Sequence, residues 1–220
     1  MKNIYKNSFY NLNKAKRILE KNQILALPTE TVYGLAGNAY SHKSVKKIYS
    51  LKKRPQKNPL IIHYYNLDLL KKDAEYDKNF LKLYKKFSPG PLTYILKKKE
   101  KSKVSKFANA KLKTIAVRFP KNKIIRSLLK KLTFPLAIPS ANISTGVSPT
   151  EPLDVVDEFK NKIKFILNGG KSLIGLESTV INLSSKPAIL RPGSISHTEI
   201  EKVLRKKVTN VTKSKFVISP

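Results

Sequence analysis

The chain has 220 residues, no Cys, no Trp and one Met, and 45 Lys and Arg against 14 Asp and Glu give it a formal charge of +31 at pH 7. That length suits one large domain or one domain with a short appendage. The 40% apolar and 9% aromatic content excludes global disorder. The lack of Cys excludes disulfide frameworks, thiolate nucleophiles and Cys-containing zinc sites.

Periodicity places a helix over residues 13–21, followed by an apolar run over 24–27 that reads as a buried strand ending at Pro28. A second helix runs from a Ser41 cap to about Lys52, and 59–63 reads as strand. Residues 67–72 and 77–87 read as helical, 92–97 and 114–119 as strands, 122–132 as helix and 136–138 as strand. A short helix over 151–159 precedes strands at 164–167, 178–183 and 188–190, and the last helix covers 198–204. Late crowding of short strands does not suit a pure βαβ series, so the expected fold is α/β with a twisted mixed sheet and packed helices. The domain is expected over 1–204, with 205–220 as a C-terminal tail or linker. Residues 1–10 contain no apolar signal core and no run of ~18 apolar residues occurs, so a soluble, cytoplasmic protein without a membrane partner is expected.

The charge predicts attraction to polyanions that weakens steeply with salt. Lys supplies nearly all of it, however, as solvated surface, and only six Arg occur. Arg54, Arg118 and Arg191 sit in turn- or strand-like segments near Pro or Gly, where a planar fork for phosphate or carboxylate is useful. Arg17, Arg126 and Arg205 fall in amphipathic helical patterns and read as surface residues. The eight Gly are expected in loops beside strands, marking positive φ or close backbone approach.

Standard phosphate motifs are missing. Gly170-Lys171-Ser172 resembles the end of a phosphate-binding loop, but Phe165 stands where the first Gly belongs, and no GxGxxG is present. His42, His63 and His197 lack metal-ligand spacing, and no metal site is expected. His63 stands out by ending the run Leu60-Ile61-Ile62.

Chemistry concentrates in LPTETVYGLAG (27–37), KKRPQKNPLIIH (52–63), TIAVRFP (114–120), IPSANISTGVSPT (138–150), and ESTVINL (177–183) with LRPGSIS (190–196). Each joins a strand to Gly, Arg or small hydroxyl residues, an inventory suited to an anionic ligand with polar edges. In this order, over about residues 15–203, the segments resemble the YrdC-like family of threonylcarbamoyl-AMP synthases. The resemblance implies an open twisted mixed sheet with flanking helices around a basic concave cleft. It also implies a nucleotidyltransferase reaction: L-threonine and bicarbonate form a carbamate that attacks the α-phosphorus of ATP, giving threonylcarbamoyl-AMP and pyrophosphate. Downstream tRNA-threonylcarbamoyl transferase proteins then modify the adenosine beside the anticodon, and a contact with tRNA or double-stranded RNA is an associated expectation.

By motif, the resemblance implies a catalytic tetrad of Lys52, Arg54, Ser140 and Asn142. It puts Arg54, Asn58, Thr114, Ser140, Ser148 and Arg191 against ATP, and Thr31, His63, Arg118, Ser178 and the backbone at Ile138 against threonine. Mg²⁺ is expected with the ATP phosphates. Lys52 and Arg54 are expected at the cleft surface, so that Ala variants lose product without losing stability. Two acceptors for the threonine ammonium proton remain open, His63 and bicarbonate. Two positions depart from the family pattern: Thr145 stands where Gly is usual, with Gly146 one place later, and Asn168 replaces a common Asp. The alternatives are a non-catalytic RNA-binding protein using the basic cleft and a carbamoyl-transferring relative.

Overall fold

Short strands alternate with capped helices through the computed structural model, in which residues 3–210 are described. In chain order the elements are β1 (Ile4–Lys6), α1 (Phe9–Glu20), β2 (Leu25–Leu27), β3 (Gly34–Asn38), α2 (His42–Lys52), β4 (Ile61–His63) and α3 (Leu67–Leu70). Then follow β5 (Ala74–Glu75), α4 (Lys78–Phe87), β6 (Leu92–Lys98), β7 (Thr114–Arg118), α5 (Lys123–Lys130), β8 (Leu136–Ala137) and α6 (Pro152–Phe159). The last are β9 (Ile166–Asn168), β10 (Thr179–Asn182), β11 (Ala188–Arg191), α7 (His197–Leu204) and β12 (Thr209–Asn210). Ser8, Ser41, Asn66, Asp77, Asn122 and Ser196 each accept a first-turn amide, which fixes where the helices begin. The Ser8 cap explains why α1 starts at Phe9, ahead of the apolar periodicity.

All strands join one mixed sheet in the order β1-β9-β2-β3-β8-β4-β7-β6-β10-β11-β12, with β5 pairing β6 off that path. β1, β3, β5 and β12 are strands that the sequence pattern does not announce. β5 and β12 are two residues long, and β3 carries two glycines that lower its strand propensity. Gly34 and Gly37 therefore lie inside a strand and not in a loop. At Gly34 the reason is contact: a Cβ would run into Ile138 Cγ2 and the Pro139 carbonyl oxygen. That approach lets β3 bridge to Ser140. The sheet takes in residues as far as Asn210 through β12 beside β11, with Val208 buried. Residues 211–220 of the expected tail lie outside the described part.

Helices cover both faces in one half of the sheet. Leu25 and Leu27 of β2 pack with α1 and α5, while Ala26 packs with Val155 and Phe159 of α6. In the other half the described helices cover one face, where Ile62, Tyr94, Val117 and Ile181 meet Val45, Ile48, Phe80, Leu83 and Ile200 from α2, α4 and α7. The opposite face of those strands carries a small apolar cluster, Ile61, Ile95, Ala116 and Val180, to which no helix among the described residues contributes.

Thr145 adopts φ +79°, the left-handed region where a β-branched residue is strained by roughly 1–3 kcal/mol. It is exposed, so its side chain supplies little compensating burial. Thr145→Gly is expected to raise the melting temperature by about 2–4 °C. An unchanged or lower melt would show that the turn relaxes without Gly.

Candidate active site

The helix-free sheet face holds the polar residues as well as the apolar cluster. Strand alternation and register put His63 beside Arg118, Arg118 beside Thr93, and Thr93 beside Val180, all on the side of Ile61, Ala116 and Ile95. Loops after β2, α2 and β8, with the ends of β10 and β11, wall this face into a cavity. Together with the solvent at its mouth it spans about 670 Å³. Thr31, His63, Arg118, Ile138 and Ser178 line it, as do Arg54, Asn58, Ser140 and Arg191. The structure thus brings together the whole threonine-side set and four of the six ATP-side residues.

Thr114 and Ser148 do not line this cavity. Thr114 shares a strand face with Arg118 but lies about 13 Å along β7, beside Lys97, Lys98 and Lys113 in a separate depression. Ser148 stands behind Glu177, its Oγ donating to Oε1 at 3.4 Å.

Lys52 corrects the sequence reading. It is 1% exposed and not at the cleft surface. Its Nζ donates to the Ser140 carbonyl at 2.6 Å and to the Asn142 carbonyl, with Asn142 Oδ1 at 3.4 Å. Val45, Ile48, Tyr49 and Lys52 are spaced as the buried face of α2. Burial and then the charge of Arg54 pull the ammonium down to about 8, against opposing pulls from Glu177 and Glu158. Asn142 is also buried, its Nδ2 donating to the Ile143 carbonyl at 2.9 Å and the Gly146 carbonyl at 2.7 Å. Lys52 and Asn142 therefore shape the loop that presents Ser140. Arg54 lines the cavity itself, with Nε 3.1 Å from the Asn58 carbonyl and Nη2 3.0 Å from the Pro59 carbonyl.

Four carboxylate and hydroxyl partners, Glu30, Glu177, Thr93 and Thr29, are absent from the motif reading. Glu30 Oε1 accepts from Arg118 Nη2 at 2.7 Å, and Oε2 accepts from the Lys121 and Asn122 amides at 2.9 and 3.1 Å. Glu177 Oε2 accepts from Arg191 Nη1 at 2.6 Å and is the one carboxylate among the described residues lining the cavity. Arg191 Nε and Nη2 also donate to Ser178 O and Oγ, each at 3.1 Å, and Ser178 Oγ bonds Thr93 Oγ1 at 2.8 Å. Thr29 Oγ1 sits 2.8 Å from Thr31 Oγ1 and fixes its rotamer. The Ile138 amide is taken by the Ile61 carbonyl, so a ligand contact there falls to the Ile138 carbonyl.

His63 is 2% exposed, and its Nδ1 lies 3.3 Å from the carbonyl oxygen of Ile61, two residues earlier on β4. Burial and the adjacent Arg118 charge drive its imidazole down to about 3, outweighing Glu30 and that carbonyl. It is thus neutral at physiological pH and a weak proton acceptor. Below about 6.5 the unfolded chain binds this proton while the folded chain does not, so stability falls as pH drops from about 6.5 toward 3. His63→Gln is expected to flatten that loss between pH 6.5 and 5 in denaturant unfolding. Equal slopes in the two chains would assign the effect elsewhere.

A family model described as telomere recombination, covering Sua5, YciO and YrdC, matches residues 17–193. The chain belongs to this family. It is 43% identical over 194 residues to a threonylcarbamoyl-AMP synthase of Pyrococcus abyssi, an alignment covering 86% of this chain and 56% of that protein. A Bacillus subtilis protein of the same name is 40% identical over 196 residues, 87% of this chain and 56% of that protein. The chain therefore spans about half the length of these curated relatives. The structure of P. abyssi Sua5 complexed with L-threonine superposes with a TM-score of 0.91 at 37% identity, covering 99% of this chain and 66% of that one. The mixed α/β sheet with flanking helices is accordingly the family's fold. No helix among the described residues is long and apolar enough to cross a membrane.

Proposed function

We propose that this chain carries the synthase chemistry, converting L-threonine, bicarbonate and ATP to threonylcarbamoyl-AMP, pyrophosphate and water. The observation that carries the reading is the convergence of three of six arginines, Arg54, Arg118 and Arg191, with Thr31, His63 and Ser178 on one sheet face. Arg118 offers a fork to the threonine carboxylate. The apolar cluster of Ile61, Ile95, Ala116 and Val180 gives a floor against which an adenosine can lie on its way to Thr114. Arg54 and Arg191 flank the phosphate path.

The acid–base chemistry falls to bicarbonate. It takes the ammonium proton and leaves as water and carbon dioxide, and the freed amine adds to carbon dioxide, the one proton then released passing to solvent water. The carbamate oxygen then attacks the α-phosphorus and the bond to pyrophosphate breaks. This is an encounter of like charges, and Arg54 and Arg191 lower its barrier by balancing the anions. His63 serves as a neutral hydrogen-bonding wall, its depressed basicity making it unsuited to carry the proton.

Mg²⁺ enters this reading as the companion of the ATP phosphates. Glu177, tied to Arg191, is a single donor, and no cluster of three metal-ligating side chains occurs among the described residues. The protein's donor set therefore does not fit a dedicated Mg²⁺ cage, and no step is assigned to one. In the same reading the product passes to tRNA-threonylcarbamoyl transferase proteins in the cytoplasm, the synthase domain extends through β12 to Asn210 and not only to 204, and the Lys-rich surface contacts RNA non-specifically.

Incubating the chain with ATP, Mg²⁺, threonine and bicarbonate should yield threonylcarbamoyl-AMP and pyrophosphate by mass spectrometry, and none when threonine is omitted. Product from carbamoyl-phosphate in place of threonine and bicarbonate would overturn the reading. So would salt-sensitive RNA binding with neither ATP nor threonine bound.

A further inference from the structure

The two ends of the cavity differ in how their arginines are balanced. Arg118 and Glu30 are each 5% exposed at the side chain and form a 2.7 Å ion pair. Arg118 Nε points at the Gly90 carbonyl at 3.4 Å, leaving Nη1 without a partner among the described residues. Glu30 cannot swing away, because Lys121 and Asn122 amides hold its other oxygen. Burial raises its carboxyl, but the Arg118 charge and these hydrogen bonds outweigh that and hold it below the usual range. It is therefore ionised at neutral pH.

Arg54, in contrast, meets two carbonyls, with no carboxylate at ion-pair distance among the described residues. The nearby Lys52 adds a second positive charge solvated by carbonyls. One end of the cavity thus presents directed N–H groups with no net charge, and the other presents net positive charge. Because Glu30 offsets the Arg118 charge, a dianion gains little extra attraction from this near-neutral pair, while stripping water from its second charge costs more than for a monocarboxylate. Selectivity of this kind comes from a repulsive element built beside an attractive one.

We propose that Glu30 is a specificity-determining residue: it balances Arg118 so that this end of the cavity admits an amino-acid carboxylate and refuses phosphate-type dianions, which are left to the Arg54 end. The inference rests on reading the cavity as a threonine and ATP site. It differs from a purely structural role for Glu30, which would change affinity for threonine without creating affinity for phosphate.

The test is calorimetric titration of threonine into the purified chain at fixed ionic strength, with inorganic phosphate raised in steps at pH 8, where phosphate is mostly dianionic. In the wild type the threonine Kd should stay constant within about twofold. In Glu30→Gln it should weaken at least about tenfold, the effect of losing a charged hydrogen bond, and phosphate should now compete with threonine. Glu30→Asp, which keeps the charge, should still refuse phosphate. Competition in the wild type, or no new competition in Glu30→Gln, would overturn the proposal. If Glu30→Gln does not fold, the wild-type and Glu30→Asp titrations decide by the same criterion. If the wild type binds no threonine, the threonine reading fails separately. Glu30 is then judged by direct phosphate titration, where Glu30→Gln must bind one phosphate more than the wild type.

Discussion

Lys52→Ala is expected to lower the melting temperature by roughly 6–12 °C and to abolish product formation. The side chain is buried, and its ammonium is met by the carbonyls of Ser140 and Asn142 and by Asn142 Oδ1. Truncation leaves these carbonyls facing a void, at about 1–3 kcal/mol for each unpaired group, and removes the side chain beyond Cβ from a packed helix face. Relief from burying a charge works the other way and explains why the ammonium is pulled down to about 8. The unpaired carbonyls and the void together are larger, leaving a net loss of about 3 kcal/mol, and at this chain length each kcal/mol moves the melt by about 2–4 °C. Lys52→Met, which refills the volume without the charge, should recover part of the stability and none of the activity, since Ser140 would still lose its anchor. A Lys52→Ala protein that melts like the wild type would return Lys52 to the cleft surface.

The sequence made Lys52 legible as a functional residue by its motif, but the depth at which it sits was also written there. Its place seven residues after Val45 and four after Ile48 continues the buried stripe of α2. A Lys at that register is either buried and solvated by protein or breaks the pattern. Arg54, Arg118 and Arg191 were readable because Arg is scarce in a Lys-rich chain, and the same reasoning applied to acids would have found more. With 14 Asp and Glu in 220 residues, Glu30 and Glu177 inside the two hydroxyl-rich motifs were as conspicuous as the arginines they hold. Strand alternation over 114–118 put Thr114, Ala116 and Arg118 on one face, yet which face lacked helices depended on packing between distant elements. The same limit hid β3: its glycines argue against a strand locally, and only the close approach of Ile138 and Pro139 makes them necessary. Positive φ at Thr145 follows from the turn that Asn142 and Gly146 close, so the departure from Gly was visible as a motif change and its strain was not.

Arg54→Ala is expected to reduce product formation by about 10³-fold or more while shifting the melt by no more than a few degrees. The contrast with Lys52 is one of surroundings. Arg54 lines the cavity, and the two carbonyls it touches, Asn58 and Pro59, belong to the same wall. Water can replace the guanidinium there, so each hydrogen bond lost costs only its net value of about 0.5–1.5 kcal/mol. The functional cost is larger because Arg54 is a cation at the phosphate end with no carboxylate at ion-pair distance among the described residues. A guanidinium placed on a transferring phosphoryl group contributes on the order of 10³–10⁵ in rate. Arg54→Lys should recover charge but not the planar fork, leaving activity between the two. Threonine affinity, set at the Arg118 end, should remain within about twofold in both variants, whereas ATP affinity should fall. Loss of threonine binding together with ATP binding would mean that Arg54 acts by holding the cavity open. Full activity in Arg54→Ala would remove it from the reaction altogether.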